Sequence, residues 1–363
     1  MERKPRIVFV MHMPPPVHGA AMMGAMLHDC MVKQDWLDAR FINLSASASV
    51  DEIGRRSWKK VLFIFRLLRE VRHTLGAWKP DLVYVTPTSC LPALLKDALV
   101  VRAAKRSGCR ILLHFHNKGV ASRSGHWLDD RVYRRFFAGT KVILLSERLT
   151  PDVEKYVKRE DILYCPNGLE LPAVRRSVSH AVPRLLFLSN LLPGKGVVDL
   201  LDACRLLKRR NTSFLCRFVG APSGSISAET FRKMVEERGL EGIVLYEGPL
   251  YGDAKLEALG EADMLVHPTR EDCFPLVILE AMAAGLPVVS TREGAIPDEV
   301  EDGITGILCD KGNPEALADA IETLLQDNTV RERMGAAGRI RYETYFTRGQ
   351  FEKRMIEILR AHV

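Results

Sequence analysis

Twelve short apolar runs, spread along almost the whole chain, limit what it can fold into more than any other feature. The first half holds RIVFVMH, ARFINL, DLVYVTP, RILLHFH, KVILLS and DILYCPNG; the second holds RLLFLSN, FLCRFVG, IVLYEG, ADMLVHP, LPVVST and GILCD. Most are separated by helix-length segments, the pattern of a parallel, doubly wound α/β sheet. Near-continuous apolar runs fit strands covered on both faces. At 363 residues the chain exceeds one ordinary core, so two domains are expected. The pattern breaks over residues 167–183, NGLELPAVRRSVSHAVP, a polar stretch with Pro172 and Pro183. The expected division is residues 1–170, a linker at 171–183, a second domain at 184–345, and a last helix at 346–363 packing back on the first domain. Two open α/β domains in tandem predict a cleft lined by the loops at the C-terminal ends of their strands.

Charge and cysteine usage narrow the function classes. Residues 1–165 carry 28 Lys and Arg against 16 Asp and Glu, and residues 166–363 carry 24 against 29. A basic half joined to a mildly acidic half implies different partners for each. The eight cysteines are scattered with no C-x-x-C pair, so neither a disulfide framework nor a zinc site is expected and a reducing, cytoplasmic setting fits. No run approaches the ~18–20 apolar residues of a membrane span. MERKPRIVFVMHMPPP reads as a first strand rather than a signal peptide. The strongest basic cluster is residues 55–79, RRSWKKVLFIFRLLREVRHTLGAWK. Trp58, Leu62, Phe63, Phe65, Leu68 and Val71 recur at near-helical spacing, with Lys59, Lys60, Arg66, Arg69 and Arg72 elsewhere around the helix. Two readings stand: a sheet-packing helix with a solvated basic face, or a surface that docks peripherally on anionic lipid. No nucleic-acid motif accompanies the basic residues, and no nucleic-acid partner is expected.

The loops after the strands hold the unusual residues. MPPPVHGAAMMGAML follows the first strand, and Gly19 there lets a ligand approach the backbone ahead of a helix N-terminus, an anion-binding arrangement; a tight turn fits equally. Alternation puts His114 and His116 on one face of a strand end. No third ligand accompanies them, so no metal is expected, and His116 is the economical choice for a hydrogen-bonding group near a sugar or phosphate. In FLSNLLPGKGVVDLLDA, Asn190 offers an amide and Lys195 a mobile cation before a helix, the outline of a diphosphate site. In REDCFPLVILEAMAAGLPVVST, Pro275 suits a first helical position and Gly285 a C-terminal cap. Between them Glu280 interrupts a helix apolar on nearly every face. A buried carboxylate without partners is costly, so something must satisfy it.

Taken in order, PPPVHGA, the H-x-H strand end, CPNGLE, SNLLPGKG, PTREDCFPLVILEAMAAGLPVV and GAIPDEVEDGITG resemble the motifs of the retaining glycosyltransferases of family 4 (glycosyl transferases group 1) over nearly the whole length. The resemblance implies the GT-B fold: two Rossmann-like domains, the first taking the acceptor and the second a nucleotide-diphosphate sugar of UDP or GDP type, with no separate cofactor. It implies that Glu280 accepts from the donor's ribose hydroxyls, so that its charge is satisfied only with donor or ordered water. It places Asp272 against the transferred sugar, with Glu271 beside it as a longer arm. Backbone N–H groups of Cys273, Phe274 and Leu276 would face the sugar and phosphates, with Lys195 and Asn190 near the diphosphate and Gly19 and His116 closing from the first domain. Asp replaces the family's first Glu, Asn190 its arginine, and Cys273 and Pro275 two glycines, departures that bear on donor identity and affinity. The implied activity is retaining, metal-independent transfer to a hydroxyl of a glycan or lipid-linked acceptor in bacterial surface polysaccharide synthesis, at the inner face of the plasma membrane. Two alternatives share the fold: a non-catalytic partner subunit and a sugar-nucleotide 2-epimerase.

Overall fold

The structure, a computed structural model, describes residues 3–15, 18–45, 58–176 and 180–363, without the side chains of Lys59 and Lys60. The chain forms two compact units, one of Met1–Asn167 with Arg348–Val363 and one of Gly168–Thr347. All twelve apolar runs are strands.

Unit 1 contains β1 (Arg6–Met11), β2 (Asp38–Asn43), β3 (Leu82–Val85), β4 (Arg110–His114), β5 (Lys141–Leu144) and β6 (Ile162–Tyr164). They make one parallel sheet in the order β2-β1-β3-β4-β5-β6. The central strands are buried on both faces, with Ile7 to Met11 and Val83 to Val85 all essentially inaccessible, which is why their sequences do not alternate. The helix Gly19–Met31 crosses so close to the end of β1 that a Cβ on Gly24 would lie 2.0 Å from the His12 carbonyl oxygen. A helix interior normally disfavours glycine; here the close approach requires it. The helix Arg348–Arg360 completes this unit, burying Phe351, Met355 and Leu359. Arg360 lies 5.0 Å from the Trp36 ring, and Arg110 donates to the His362 carbonyl at 3.2 Å.

Unit 2 contains β7 (Arg184–Leu188), β8 (Leu215–Val219), β9 (Val244–Gly248), β10 (Met264–His267), β11 (Val288–Thr291) and β12 (Gly306–Cys309), also all parallel, in the order β12-β11-β10-β7-β8-β9. Its core runs from Leu185 and Phe187 through Leu200, Leu201 and Phe218 to Ile321 and Leu324. The segment read as a linker is held within this unit: Arg176 donates to the Ala262 carbonyl at 2.8 Å and His180 contacts that of Glu261 at 3.1 Å. Residues 177–179 of that segment lie outside the described residues. Residues 346 and 347, read as opening the last helix, instead close unit 2, where Leu169 donates to the Phe346 carbonyl at 3.0 Å.

The helix read from residues 55–79 is Trp58–Trp78, and its orientation corrects the expected packing. Leu67, Val71 and Leu75 face the core, whereas Trp58, Leu62 and Phe65 are exposed, Trp58 by 88%. At 100° per residue the two sets fall on opposite sides. Arg66, Arg69 and Arg72 are also exposed, so aromatic and basic side chains share the outer face. Arg55 and Arg56 and the side chains of Lys59 and Lys60, part of the basic cluster, lie outside the described residues. No described helix is long and apolar enough to cross a membrane.

Candidate functional site

Strand order in unit 2 reverses between β7 and β10, and the loops leaving such a point border a ligand crevice in open α/β sheets. Gly196 has φ +76° and its Cβ position lies 1.9 Å from the Pro268 carbonyl oxygen, so only glycine lets the two loops meet. The Gly194 carbonyl then accepts from the Arg270 and Glu271 amides at 2.8 and 3.1 Å and from the Thr269 hydroxyl at 3.1 Å. Arg270 is held in turn by both oxygens of Asp199, at 2.7 and 2.5 Å.

These contacts bring Lys195 Nζ within 2.5 Å of Asp272 Oδ2, and His267 Nε2 lies 3.1 Å from the same oxygen. Oδ1 accepts from the Cys273 amide at 3.0 Å. Burial pushes the Asp272 carboxyl upward, but the His267 hydrogen bond and the Lys195 charge outweigh it and hold the group at about 2. Asp272 is therefore a half-buried carboxylate between a cation and an imidazole. Glu271 is exposed, its side chain lying along Gly194. The helix Leu276–Ala283 begins just beyond, with Pro275 as its N-cap rather than its first helical residue. Cys273 and Phe274 are buried, and the Cys273 N–H expected to face a ligand is used by Asp272. Asn190 is exposed and its Oδ1 accepts from the Ala221 amide at 3.2 Å.

Glu280 is satisfied by the protein itself. Lys255 Nζ, from the helix Gly252–Gly260, donates to its Oε1 at 2.7 Å. This corrects the expectation that donor or water alone would satisfy it. Glu299, in contrast, is fully buried and neither carboxyl oxygen has a hydrogen-bond partner among the described residues. Burial, with the charges of Asp272 and Asp298, pushes its carboxyl well above the usual range.

In unit 1 the corresponding reversal lies between β1 and β3. The His12 amide donates to Thr86 Oγ1 at 2.9 Å across it. His18 caps the helix Gly19–Met31, its Nδ1 accepting from the Ala21 amide at 3.3 Å, so Gly19 is the first helical residue rather than part of a loop. His116 lies beyond the end of β4, its Nδ1 3.2 Å from Asn167 Oδ1 and its ring 4.2 Å from that of His114. His114 is fully buried with Nδ1 2.7 Å from the Tyr84 hydroxyl, a structural role. Burial lowers His116 to about 4, and burial with the charges of Lys96, His18 and His116 lowers His12 to about 3. Among the described residues no group of three or more His, Cys, Asp or Glu is arranged to hold a metal ion.

Of the sequence-read residues, Lys195 and Asp272 lie in unit 2 loops and Glu280 on the helix Leu276–Ala283, all in charged pairs, while in unit 1 Gly19 opens the helix after β1 and His116 lies beyond the end of β4. Lys255, His267 and Glu299 escaped the sequence reading. His267 ends an apolar run that was read only as a strand. Lys255 lies 25 positions before its partner, beyond any local spacing rule.

Residues 176–341 match the family described as "Glycosyl transferases group 1". The D-inositol 3-phosphate glycosyltransferase of Corynebacterium glutamicum is 37% identical over 152 residues, 41% of this chain and 36% of the relative. The chain thus spans little more than a third of the length of the curated relatives it matches first. The amylovoran biosynthesis glycosyltransferase AmsK of Erwinia amylovora is 28% identical over 68% of this chain and 62% of its own. Among solved structures, Anabaena Alr3699/HepE in complex with UDP and glucose superposes with a TM-score of 0.73 at 18% identity, covering 99% of this chain and 100% of that one. The two six-stranded parallel sheets are those of the GT-B fold.

Proposed function

Residues 176–341 belong to the glycosyl transferases group 1 family, and on that footing we propose that this chain transfers a sugar from a nucleotide-diphosphate sugar to an acceptor hydroxyl, with retention at the anomeric carbon. The observation that carries the reading is the charged junction of Lys195, Asp272 and His267 where strand order reverses in unit 2, with Glu280 on the helix that follows. Glu280 reads the ribose diol, since a carboxylate accepts from two adjacent hydroxyls. Lys195 meets the diphosphate, aided by the N-terminal amides of the helix Leu276–Ala283. Asp272, oriented by His267, stabilises positive charge at the anomeric carbon.

In the reaction the bond from the anomeric carbon to the diphosphate oxygen breaks, its electron pair remaining on the diphosphate. The acceptor oxygen forms its bond on the face the leaving group departs from, and its proton passes to a phosphate oxygen. No metal and no enzyme nucleophile enters this scheme. His116 and Gly19 are the groups that unit 1 would offer to a substrate. The donor is of UDP or GDP type; the HepE structure with UDP and glucose supports the former. The acceptor is a glycan or lipid-linked glycan of a bacterial surface polysaccharide, a reading supported by the likeness to an amylovoran biosynthesis enzyme and by the basic residues of unit 1. The exposed aromatic and basic face of Trp58–Trp78 docks peripherally on an anionic inner membrane surface.

Thermal denaturation against UDP-, GDP-, ADP- and CMP-sugars, with and without magnesium, tests the reading. A ligand that binds the native state raises the midpoint. A metal-independent rise with one nucleotide class supports it. No rise with any would replace it with a partner subunit that keeps the fold without the chemistry.

A further inference from the structure

We propose that Lys255 is a positioning residue for the ribose-reading carboxylate of Glu280, and so sets the preference for a ribonucleotide donor. The inference rests on the reading of Glu280 given above. Lys255 stands in the first turn of the helix Gly252–Gly260, which leaves the C-terminal end of the edge strand β9. A cation there faces the positive end of its own helix dipole, an unfavourable position without an anion. Glu280 supplies the anion it pairs with, from the helix of the next crossover, between β10 and β11. The side chains are 28% and 17% exposed, deep enough for the pair to be weakly screened and open enough for a ligand to reach the carboxylate.

The geometry divides the work of the two carboxylate oxygens. Oε1 accepts the ammonium at 2.7 Å, while Oε2 accepts no hydrogen bond among the described residues. An ionised carboxylate has about four acceptor positions, so three remain for a diol that needs two. With Oε1 tethered, the long and flexible Glu side chain no longer has to be ordered by the ligand. Pre-organisation of this kind strengthens binding without a new contact to the ligand.

The alternative role for a lysine in this place is to bind phosphate directly. The two differ in what they recognise, because positioning acts only through the hydroxyls that Glu280 reads. The test measures binding of UDP and GDP, and of their 2′-deoxy counterparts, to the full chain and to Lys255→Met, Lys255→Arg, Glu280→Gln and the Met/Gln double variant. Lys255→Met is expected to weaken the ribonucleotide about tenfold and the 2′-deoxynucleotide less than twofold, with Lys255→Arg restoring most of the loss. Comparing two ligands on one variant cancels any loss of stability. In the Glu280→Gln background the methionine change should add less than twofold, since residues acting through one another are non-additive. Equal losses for the two nucleotides, or a full further loss in the Glu280→Gln background, overturn the proposal in favour of phosphate contact. A parent chain that binds UDP or GDP with no preference over the 2′-deoxy form also overturns it, while leaving the transfer reading standing. A parent chain that binds neither nucleotide removes the transfer reading, and this inference with it.

Discussion

The two units are built from the same part, six parallel strands with helices between them, yet they treat charge at their strand ends in opposite ways. In unit 2 charges at and beside the reversal point are paired with the opposite sign, Lys195 with Asp272, Arg270 with Asp199 and Lys255 with Glu280, Glu299 being a buried exception. In unit 1 the same place is occupied by imidazoles. His12, His18 and His116 are all lowered, chiefly by burial, and Lys96, paired to Asp97 at 3.2 Å, adds its own repulsion to His12. A unit whose charges are paired beforehand can present a fixed electrostatic surface to a reacting group. A unit of neutral imidazoles presents hydrogen bonds instead and gains charge only if an anion arrives.

The largest expected effect separates the two directly. Asp272→Asn and Lys195→Ala should each lower kcat by about 10²–10³-fold, as loss of a charge-stabilising group does, while His116→Asn should cost about tenfold. Equal losses in a steady-state transfer assay would break the distinction between fixed charge and neutral hydrogen bonding.

Next comes packing. Gly24 in unit 1 and Gly335 in unit 2 both meet backbone, their Cβ positions lying 2.0 and 2.1 Å from the carbonyl oxygens of His12 and Gly285. Valine at either site should destabilise its own unit by at least ~1–3 kcal/mol. Hydrogen exchange resolved by segment would show whether the loss stays in the substituted unit.

The response to pH should also divide them. A histidine lowered in the native state stays neutral while its unfolded form takes a proton, so unit 1 loses stability as pH falls from about 6.5 towards 4. The lowered Asp272 costs unit 2 nothing until pH falls below about 4. Glu299 works the other way: its raised native value means that stability is lost as pH rises above about 4.5. Glu299→Gln should therefore stabilise unit 2 by about 1–3 kcal/mol at neutral pH and by less at pH 4.5, read from denaturant midpoints. A gain independent of pH would mean that Glu299 is ionised in the native protein.

The smallest effect concerns the outer face of Trp58–Trp78. Reversing Arg66 and Arg69 to Glu should weaken partition onto anionic vesicles at least ~30-fold, at ~1 kcal/mol per basic residue lost near the surface, with no change on neutral vesicles. Unchanged binding in co-sedimentation would return that face to solvent.

The strands were legible because burial on both faces writes itself as a continuous apolar run, a local signal that needs no knowledge of neighbours. The charged loops were legible in part: glycines around Lys195 and acids before Pro275 are short-range patterns. What escaped was whatever depended on a partner distant in the chain. Trp58, Leu62 and Phe65 have the spacing of a buried stripe, and only the choice of Leu67, Val71 and Leu75 by the sheet reveals that they face outward. Glu280 posed a question that the sequence could not answer, because Lys255 reaches it across strand order rather than along a helix. Glu299 gave no signal at all, since a carboxylate in PDEVEDG reads as solvated until the loop is seen to fold inward.

The return of Arg348–Arg360 to unit 1 has a consequence for how the protein is made. Unit 2 is one continuous stretch, so on the ribosome it has all of its chain before unit 1 does, although unit 1 starts first. Until the last helix emerges, the surface that receives Phe351, Met355 and Leu359 stays uncovered. Arg348 lies 4.0 Å from Asp29, so a helix made after unit 2 is held against one made before it. A nascent chain stalled just short of this helix would carry a finished second unit and an open first one, a form open to proteolysis or chaperone capture.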